Sequence, residues 1–233
     1  MEQQSVTAAR SEPLTSTDLL RCLAHDLRQP IAAASLALSE LARADGGSDP
    51  ATRAELVDIA DRGIETIARL VDQLLDMTRV VDAALRVHRE PMDVTALLLE
   101  GVAELRLGPD SIRLDFPDTE AVVVGDPALL LRAIVNILSN AHRHSPANRA
   151  VLLRFREDQG RALVSIIDHG PGVPAGDREN IFGQYWRGGP AGHSGLGLGL
   201  YLSRTFVELM GGTIVACETP GGGLTVHLTL PWE

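Results

Sequence analysis

A histidine, two asparagines one helical turn apart, and two glycine-rich segments stand in a fixed order along these 233 residues. His25 lies in Leu23-Ala24-His25-Asp26-Leu27-Arg28-Gln29-Pro30. It is followed by Asn136-Ile137-Leu138-Ser139-Asn140, by Asp168-His169-Gly170-Pro171-Gly172 and by Gly195-Leu196-Gly197-Leu198-Gly199. The first segment offers a nucleophilic imidazole, and the other three offer the parts of a nucleotide pocket. Together they suggest one reaction, the movement of phosphate from ATP onto a histidine.

Each part has its own chemistry and its own bland alternative. Asn136 and Asn140 are four apart, so on a helix both amides point the same way, and Arg143 and His144 extend that face. An amide oxygen suits Mg2+, which takes hard oxygen ligands, and a guanidinium one turn on suits phosphate; the alternative is a solvated helix face. Asp168 ends an apolar strand, where its carboxylate can accept the exocyclic amine of adenine. Gly170 and Gly172 let the backbone lie against a flat base, although many tight turns share this pattern. Gly195, Gly197 and Gly199 lead into a helix whose free amides and dipole favour phosphate; a flexible hinge is the alternative. Residues 183–194, entered through Ile181-Phe182-Gly183-Gln184-Tyr185-Trp186-Arg187, read as a lid whose Arg187 reaches phosphate on closing. Trp186 reads equally as a packing anchor.

His25 takes its weight from its neighbours. Pro30 has no amide hydrogen and its ring clashes with the carbonyl of Asp26, which is expected to bend the helix and expose His25. Asp26 can orient the imidazole or take a proton from it. Adjacent helical residues do not face each other, so this pairing requires particular rotamers or the bend.

Positioning these groups falls to a chain long enough for one to two domains at roughly 150 residues each. Hydrophobic residues make up 45% and aromatics 3%, so the core must be aliphatic. A net charge of −10 argues against nonspecific binding to nucleic acid or anionic membrane. All 21 basic residues are arginine, which fits a coding bias better than a function. Cys22 and Cys217 lie far apart among apolar residues and read as buried free thiols of a reduced, cytoplasmic protein. No signal peptide or membrane-spanning run is legible, so the expectation is a soluble protein or fragment whose input comes from an upstream sensor domain or partner.

Residues 1–14 read as a disordered tail. Residues 15–44 and 51–84 carry apolar residues at three-four spacing, including Leu23, Leu27, Ile31, Ala34, Leu38 and Ile64. Ser16 or Thr17 caps the first helix, and Asp45-Gly46-Gly47-Ser48-Asp49-Pro50 separates the two; each would be roughly 45 Å long. One hairpin cannot bury both stripes on itself, so a homodimer completing a four-helix bundle is expected, the alternative being packing against the rest of the chain. Beyond residue 85 the pattern predicts strands at 86–89, 111–116, 121–124, 150–156, 161–167, 213–217 and 223–230. It predicts helices at 93–107, from Asp126 to about 144, near 177–182 and at 195–210. Strands and helices mix without regular alternation, which predicts helices on one face of a mixed sheet. The fold class is therefore α+β: a two-helix dimerisation hairpin in residues 15–85, then an α/β sandwich in residues 86–233.

The ordered set resembles the sensor histidine kinases of bacterial two-component systems. His25 to Pro30 is similar to their H box, Asn136 to Asn140 with Arg143 to the N box, and Asp168 to Gly172 to the D or G1 box. Phe182 to Arg187 is similar to the F box and Gly195 to Gly199 to the G2 box. The resemblance implies a histidine-phosphotransfer hairpin followed by a Bergerat-type ATP-binding domain. It implies that His25 is the phosphoacceptor assisted by Asp26, that Asn140 coordinates Mg2+ with Asn136 supporting the site, and that Asp168 reads adenine. Gly195, Gly197 and Gly199 would border the triphosphate, and a response regulator receiver domain would accept the phosphoryl group.

Three positions depart from the family pattern. Arg143 stands where lysine is usual, and His144 where tyrosine is frequent. Gln29 replaces the threonine or asparagine that orients water for dephosphorylating the regulator; its longer amide is expected to keep a phosphatase activity. A neutral imidazole nucleophile implies autophosphorylation that declines below about pH 6. The ATP domain must swing toward His25, with residues 80–90 as the expected hinge. Two rivals are a nucleotide-holding docking platform without kinase activity, and another Bergerat ATPase. The intact His25, Asn140 and Asp168 count against the first, and the His-bearing hairpin against the second.

Overall fold

The computed structural model describes residues 16–43, 49–82, 85–117, 121–186 and 196–232, with side chains from residue 23 onward. The chain divides into two compact units, Met1–Leu70 and Val71–Glu233.

The first unit is an antiparallel helical hairpin. Helix α1 (Ser16–Arg43) runs through Pro30 without ending, and α2 starts at Pro50 and extends to Val81, into the second unit. The seam between the two helices is made of small residues: Ala34, Ala37, Ala60 and Gly63 are buried. Gly63 is required by this approach, because a Cβ there would lie 2.9 Å from the Pro30 carbonyl oxygen and 3.0 Å from Ala34 Cβ. The larger stripe residues stay outside, with Ile31 48%, Leu38 53% and Ile64 55% exposed. The turn at 44–48 lies outside the described residues.

The second unit holds the last turns of α2 and a two-layer fold. Strand β1 (Glu90–Asp93) pairs antiparallel with β3 (Val122–Gly125). A five-stranded sheet has the order β2-β4-β5-β7-β6, built from β2 (Ile112–Asp115), β4 (Val151–Asp158), β5 (Arg161–Ile167), β6 (Thr213–Glu218) and β7 (Leu224–Pro231). Only β2 and β4 are parallel within it; the remaining pairs are antiparallel. Gln159 and Gly160 turn the β4–β5 hairpin with φ of 51° and 71°, the left-handed pair that matches strand twist.

Inward positions alternate as the period of a strand requires: Val151, Leu153 and Phe155, then Ala162, Val164 and Ile166, then Val226, Leu228 and Leu230 are all buried. Helices α3 (Val94–Glu104), α4 (Pro127–His144) and α5 (Gly199–Leu209) supply the other layer through Leu98, Leu130, Ile134, Ile137, Leu138, Leu202 and Phe206. Asp93 caps α3 by accepting from the Thr95 and Ala96 amides, and Asp126 caps α4 by accepting from the Leu129 amide at 3.1 Å. Each cap contributes about 1 kcal/mol. The core is mainly aliphatic, with Phe155 and Phe206 as its largest fully buried side chains and Trp232 stacked on Phe155 at 6.0 Å.

Several expected boundaries shift. Residues 86–89 form no strand: the His88 amide donates to Asp126 Oδ2 at 2.8 Å instead of entering a ladder. Helix α3 ends at Glu104, short of 107, because Arg106 turns left-handed at φ 47°. The helical piece near 177–182 is two 3-10 turns, Ala175–Asp177 and Asn180–Phe182. Helix α5 starts at Gly199 and not at 195, since Gly197 sits at φ 66°. Cys217 is a free thiol but only half-buried, a correction to the expectation of a fully buried one. The Cys22 side chain lies outside those described. Among the described residues, no helix is long and apolar enough to cross a membrane.

Candidate active site

In the first unit, His25 stands on α1 with its side chain 62% exposed, beside an Asp26 side chain that is 2% exposed. Nδ1 of His25 lies 3.2 Å from Oδ1 of Asp26. A carboxylate only accepts, so the geometry favours the tautomer with hydrogen on Nδ1, leaving the Nε2 lone pair for attack. Gln29, one turn on, is exposed.

In the second unit, Asp168 closes β5 and is 4% exposed. Its Oδ1 accepts the amides of Gly170 at 2.8 Å and Leu224 at 3.0 Å, which fixes the carboxylate and leaves Oδ2 without a protein partner among the described residues. The glycines here are steric necessities. A Cβ on Gly170 would meet the His144 carbonyl at 2.5 Å, and one on Gly223 would meet the Asp168 carbonyl at 2.1 Å. Gly172 (φ 72°) and Gly223 (φ 119°) also hold backbone conformations that other residues resist.

The N-box residues fall on one face of α4 but have different surroundings. Asn136 Oδ1 accepts from Gln73 Nε2 at 3.1 Å, and Asn136 Nδ2 donates to the Gly199 carbonyl at 3.5 Å. Asn140 is half-buried and makes no side-chain bond to the protein among the described residues. Arg143 is exposed at the end of this face, next to a half-buried His144.

In the glycine segment, leucines and glycines divide the work. Leu196 and Leu198 are buried, and Gly197 lies so close to the F-box segment that a Cβ would meet the Trp186 carbonyl oxygen at 2.7 Å. The Tyr185 amide donates to the Gly197 carbonyl at 3.0 Å, with Tyr185 itself left-handed at φ 60°. Burial, and then the neighbouring Tyr201, pushes the Tyr185 hydroxyl above its ordinary value. Phe182 is buried under the Arg204 guanidinium, 5.4 Å from the ring centre, and Arg204 pairs with Glu179. Arg187 and Gly195 lie outside the described residues.

The second unit thus gathers Asn136, Asn140, Asp168, Gly170, Gly172, Gly197 and Gly199 on one fold. Sequence reasoning missed four residues around them. Gly223 is signalled only by the run Gly221-Gly222-Gly223. Gln73, Asp76 and Arg132 carry no signal beyond being polar residues on amphipathic helices. Asp76 is buried and pairs with Arg132 and, at 3.6 Å, with Arg79.

Two known domain families match the chain. Residues 15–82 match the His Kinase A (phospho-acceptor) domain, and residues 125–233 match the histidine kinase-, DNA gyrase B- and HSP90-like ATPase family. A solved structure of the mycobacterial sensor histidine kinase MprB is similar at 30% identity and a TM-score of 0.55, over 63% of this chain and 99% of that one. The chain belongs to the sensor histidine kinases. This sensor histidine kinase chain is also 38% identical over 238 residues to the sensor protein KdpD of Mycobacterium tuberculosis, covering 97% of the chain but 27% of that protein's length. The histidine kinase AdeS of Acinetobacter baumannii, at 21% identity and a TM-score of 0.60, shares the fold over 90% of this chain and 98% of its own. The chain's second unit carries a domain of the histidine kinase-, DNA gyrase B- and HSP90-like ATPase family.

Proposed function

We propose that the chain autophosphorylates His25 from Mg·ATP and passes the phosphoryl group to an aspartate of a response regulator receiver domain. Functionally, residues 15–85 serve dimerisation and phosphotransfer and residues 86–233 catalysis. The observation that carries the reading is the His25–Asp26 contact, which supports Nε2 as the attacking atom. The Nε2 lone pair forms a bond to the γ-phosphorus as the bond to the β-phosphate oxygen breaks, and ADP leaves with the electron pair. The imidazole becomes cationic, and Asp26 stabilises that charge and accepts the Nδ1 proton. Transfer to an aspartate oxygen then breaks the N–P bond. Catalysis of this kind is mostly positioning and charge neutralisation.

Asp168 Oδ2 is proposed to accept the adenine amine, with Gly170 and Gly172 against the base. Gly195, Gly197, Gly199, Arg143 and Arg187 are assigned to the phosphates. Mg2+ binds through few protein oxygens and keeps phosphate and water ligands, and Asn140 fits that need because its amide has no competing protein bond among the described residues. When bound, the ion would neutralise developing charge on the phosphates. Gln29 is proposed to orient water for regulator dephosphorylation. The exposed Ile31, Leu38 and Ile64 support a homodimer through the hairpin. The chain spans 27% of the length of KdpD, so the input would come from a sensor domain or partner, with the catalysis in the cytoplasm. Incubation with γ-labelled ATP tests the reading: acid-labile, base-stable label should appear and vanish in His25→Gln, and an unlabelled wild-type chain would refute it.

A further inference from the structure

Asn136 has both ends of its carboxamide engaged inside the protein, in a directional chain of amides. The Gln73 N–H donates to Asn136 Oδ1, and the Asn136 N–H donates to the carbonyl of Gly199, the first residue of α5. The three groups pack together, since a Cβ on Gly199 would sit 3.6 Å from Gln73 Nε2 and 3.7 Å from Asn136 Cγ. Asp76, three residues after Gln73 and on the same face of α2, is buried and paired with Arg132, which lies one turn before Asn136 on α4.

We propose that Gln73 is a positioning residue for the phosphate-binding loop, acting through the orientation of the Asn136 amide. The proposal rests on the reading of Gly197 and Gly199 as a phosphate loop. A carboxamide is not symmetric. With its oxygen held by Gln73, its nitrogen faces the Gly199 carbonyl; turned over, two oxygens would face each other. The bond to Gly199 is long at 3.5 Å and depends on the donor behind it, because amides in series polarise one another. The Ser203 hydroxyl also donates to the Gly199 carbonyl, at 2.9 Å, so the start of α5 is held from two sides. The backbone just ahead of it, residues 196–198, is what a phosphate would meet.

Titration calorimetry of the full chain with Mg·ADP, comparing Gln73→Glu with Gln73→Leu, tests this. Glutamate has almost the shape of glutamine but places an acceptor against Asn136 Oδ1, so it forces the amide over; leucine only removes the donor. The expected order is a weakening of about tenfold for glutamate and about threefold for leucine, from the cost of an opposed and of a lost hydrogen bond. A packing role predicts the reverse order, because leucine departs further in shape. The Asn136 side-chain NH2 resonances should shift in Gln73→Glu, a signature that a packing role would not give. Unchanged or tighter Mg·ADP binding in Gln73→Glu, or a larger loss in Gln73→Leu, overturns the proposal. A wild-type chain that binds no Mg·ADP would remove the nucleotide reading itself, whereas normal wild-type binding with an indifferent Gln73→Glu removes only the positioning role.

Discussion

The buried carboxylate of Asp26 lies against an exposed imidazole: His25 Nδ1 is 3.2 Å from Asp26 Oδ1, although consecutive helical residues do not ordinarily face each other. The contact orients the ring and favours the tautomer with hydrogen on Nδ1.

Replacing Asp26 with asparagine should therefore lower autophosphorylation by about 10²-fold, the scale of a lost acid–base or orienting group. The dissociation constant for Mg·ADP should not change, because Asp26 lies in a separate compact unit from Asp168 and Asn140. Equal loss of labelling and of nucleotide binding would argue for misfolding over chemistry.

Asn140 has no side-chain hydrogen bond to lose among the described residues, so Asn140→Ala should leave thermal stability near wild type. Nucleotide affinity should fall about tenfold with magnesium present, the value of one bond to a charged group, and little with the ion chelated. An equal loss in both conditions would assign the residue to the nucleotide and not to the ion.

Two neighbouring glycines should respond differently to alanine. A methyl group added at Gly221 (φ 87°) would meet open space, whereas one at Gly223 (φ 119°) would be driven to 2.1 Å from the Asp168 carbonyl oxygen. Gly221→Ala should cost about 1–3 kcal/mol of stability from backbone strain alone. Gly223→Ala should cost more and also weaken ADP binding through Asp168. Urea unfolding midpoints compare the two, and a milder effect at Gly223 would contradict the geometry.

Burial holds the His227 imidazole on β7 below its ordinary value of 6.5. The unfolded chain therefore binds this proton more readily than the folded one, so the histidine's contribution is complete above pH 6.5 and is lost as pH falls toward the depressed value. His227→Gln removes the titration and can still bond to Ser165 Oγ, which now lies 2.8 Å from Nδ1. Between about pH 7.5 and about pH 5.5, the wild-type urea midpoint should drop further than that of the variant. Parallel drops would show that His227 does not contribute.

Much of this architecture was legible because it is local. The Asp93 and Asp126 caps, the alternation in β4 and β5 and the Gln159-Gly160 turn all follow from short-range rules. Misplacements arose where a distant partner intervenes. The His88 amide goes to Asp126, 38 residues on, and not to a strand; the glycine segment unwinds the start of α5 because it lies against Tyr185 and Trp186. The candidate site shows the same division. Asn140, Asp168 and the glycines stand out by type and spacing. Gln73 and Asp76 are ordinary polar residues on a helix until the fold sets them against Asn136 and Arg132.

The chain's two tryptophans have separate surroundings. Trp232 stacks on Phe155, a core residue, while the Trp186 backbone lies against Gly197 in the glycine segment. Intrinsic fluorescence therefore carries two reports, one on the integrity of the sheet and one on the glycine segment proposed to border phosphate, and Trp232→Phe would leave a single indole emitting from beside that segment.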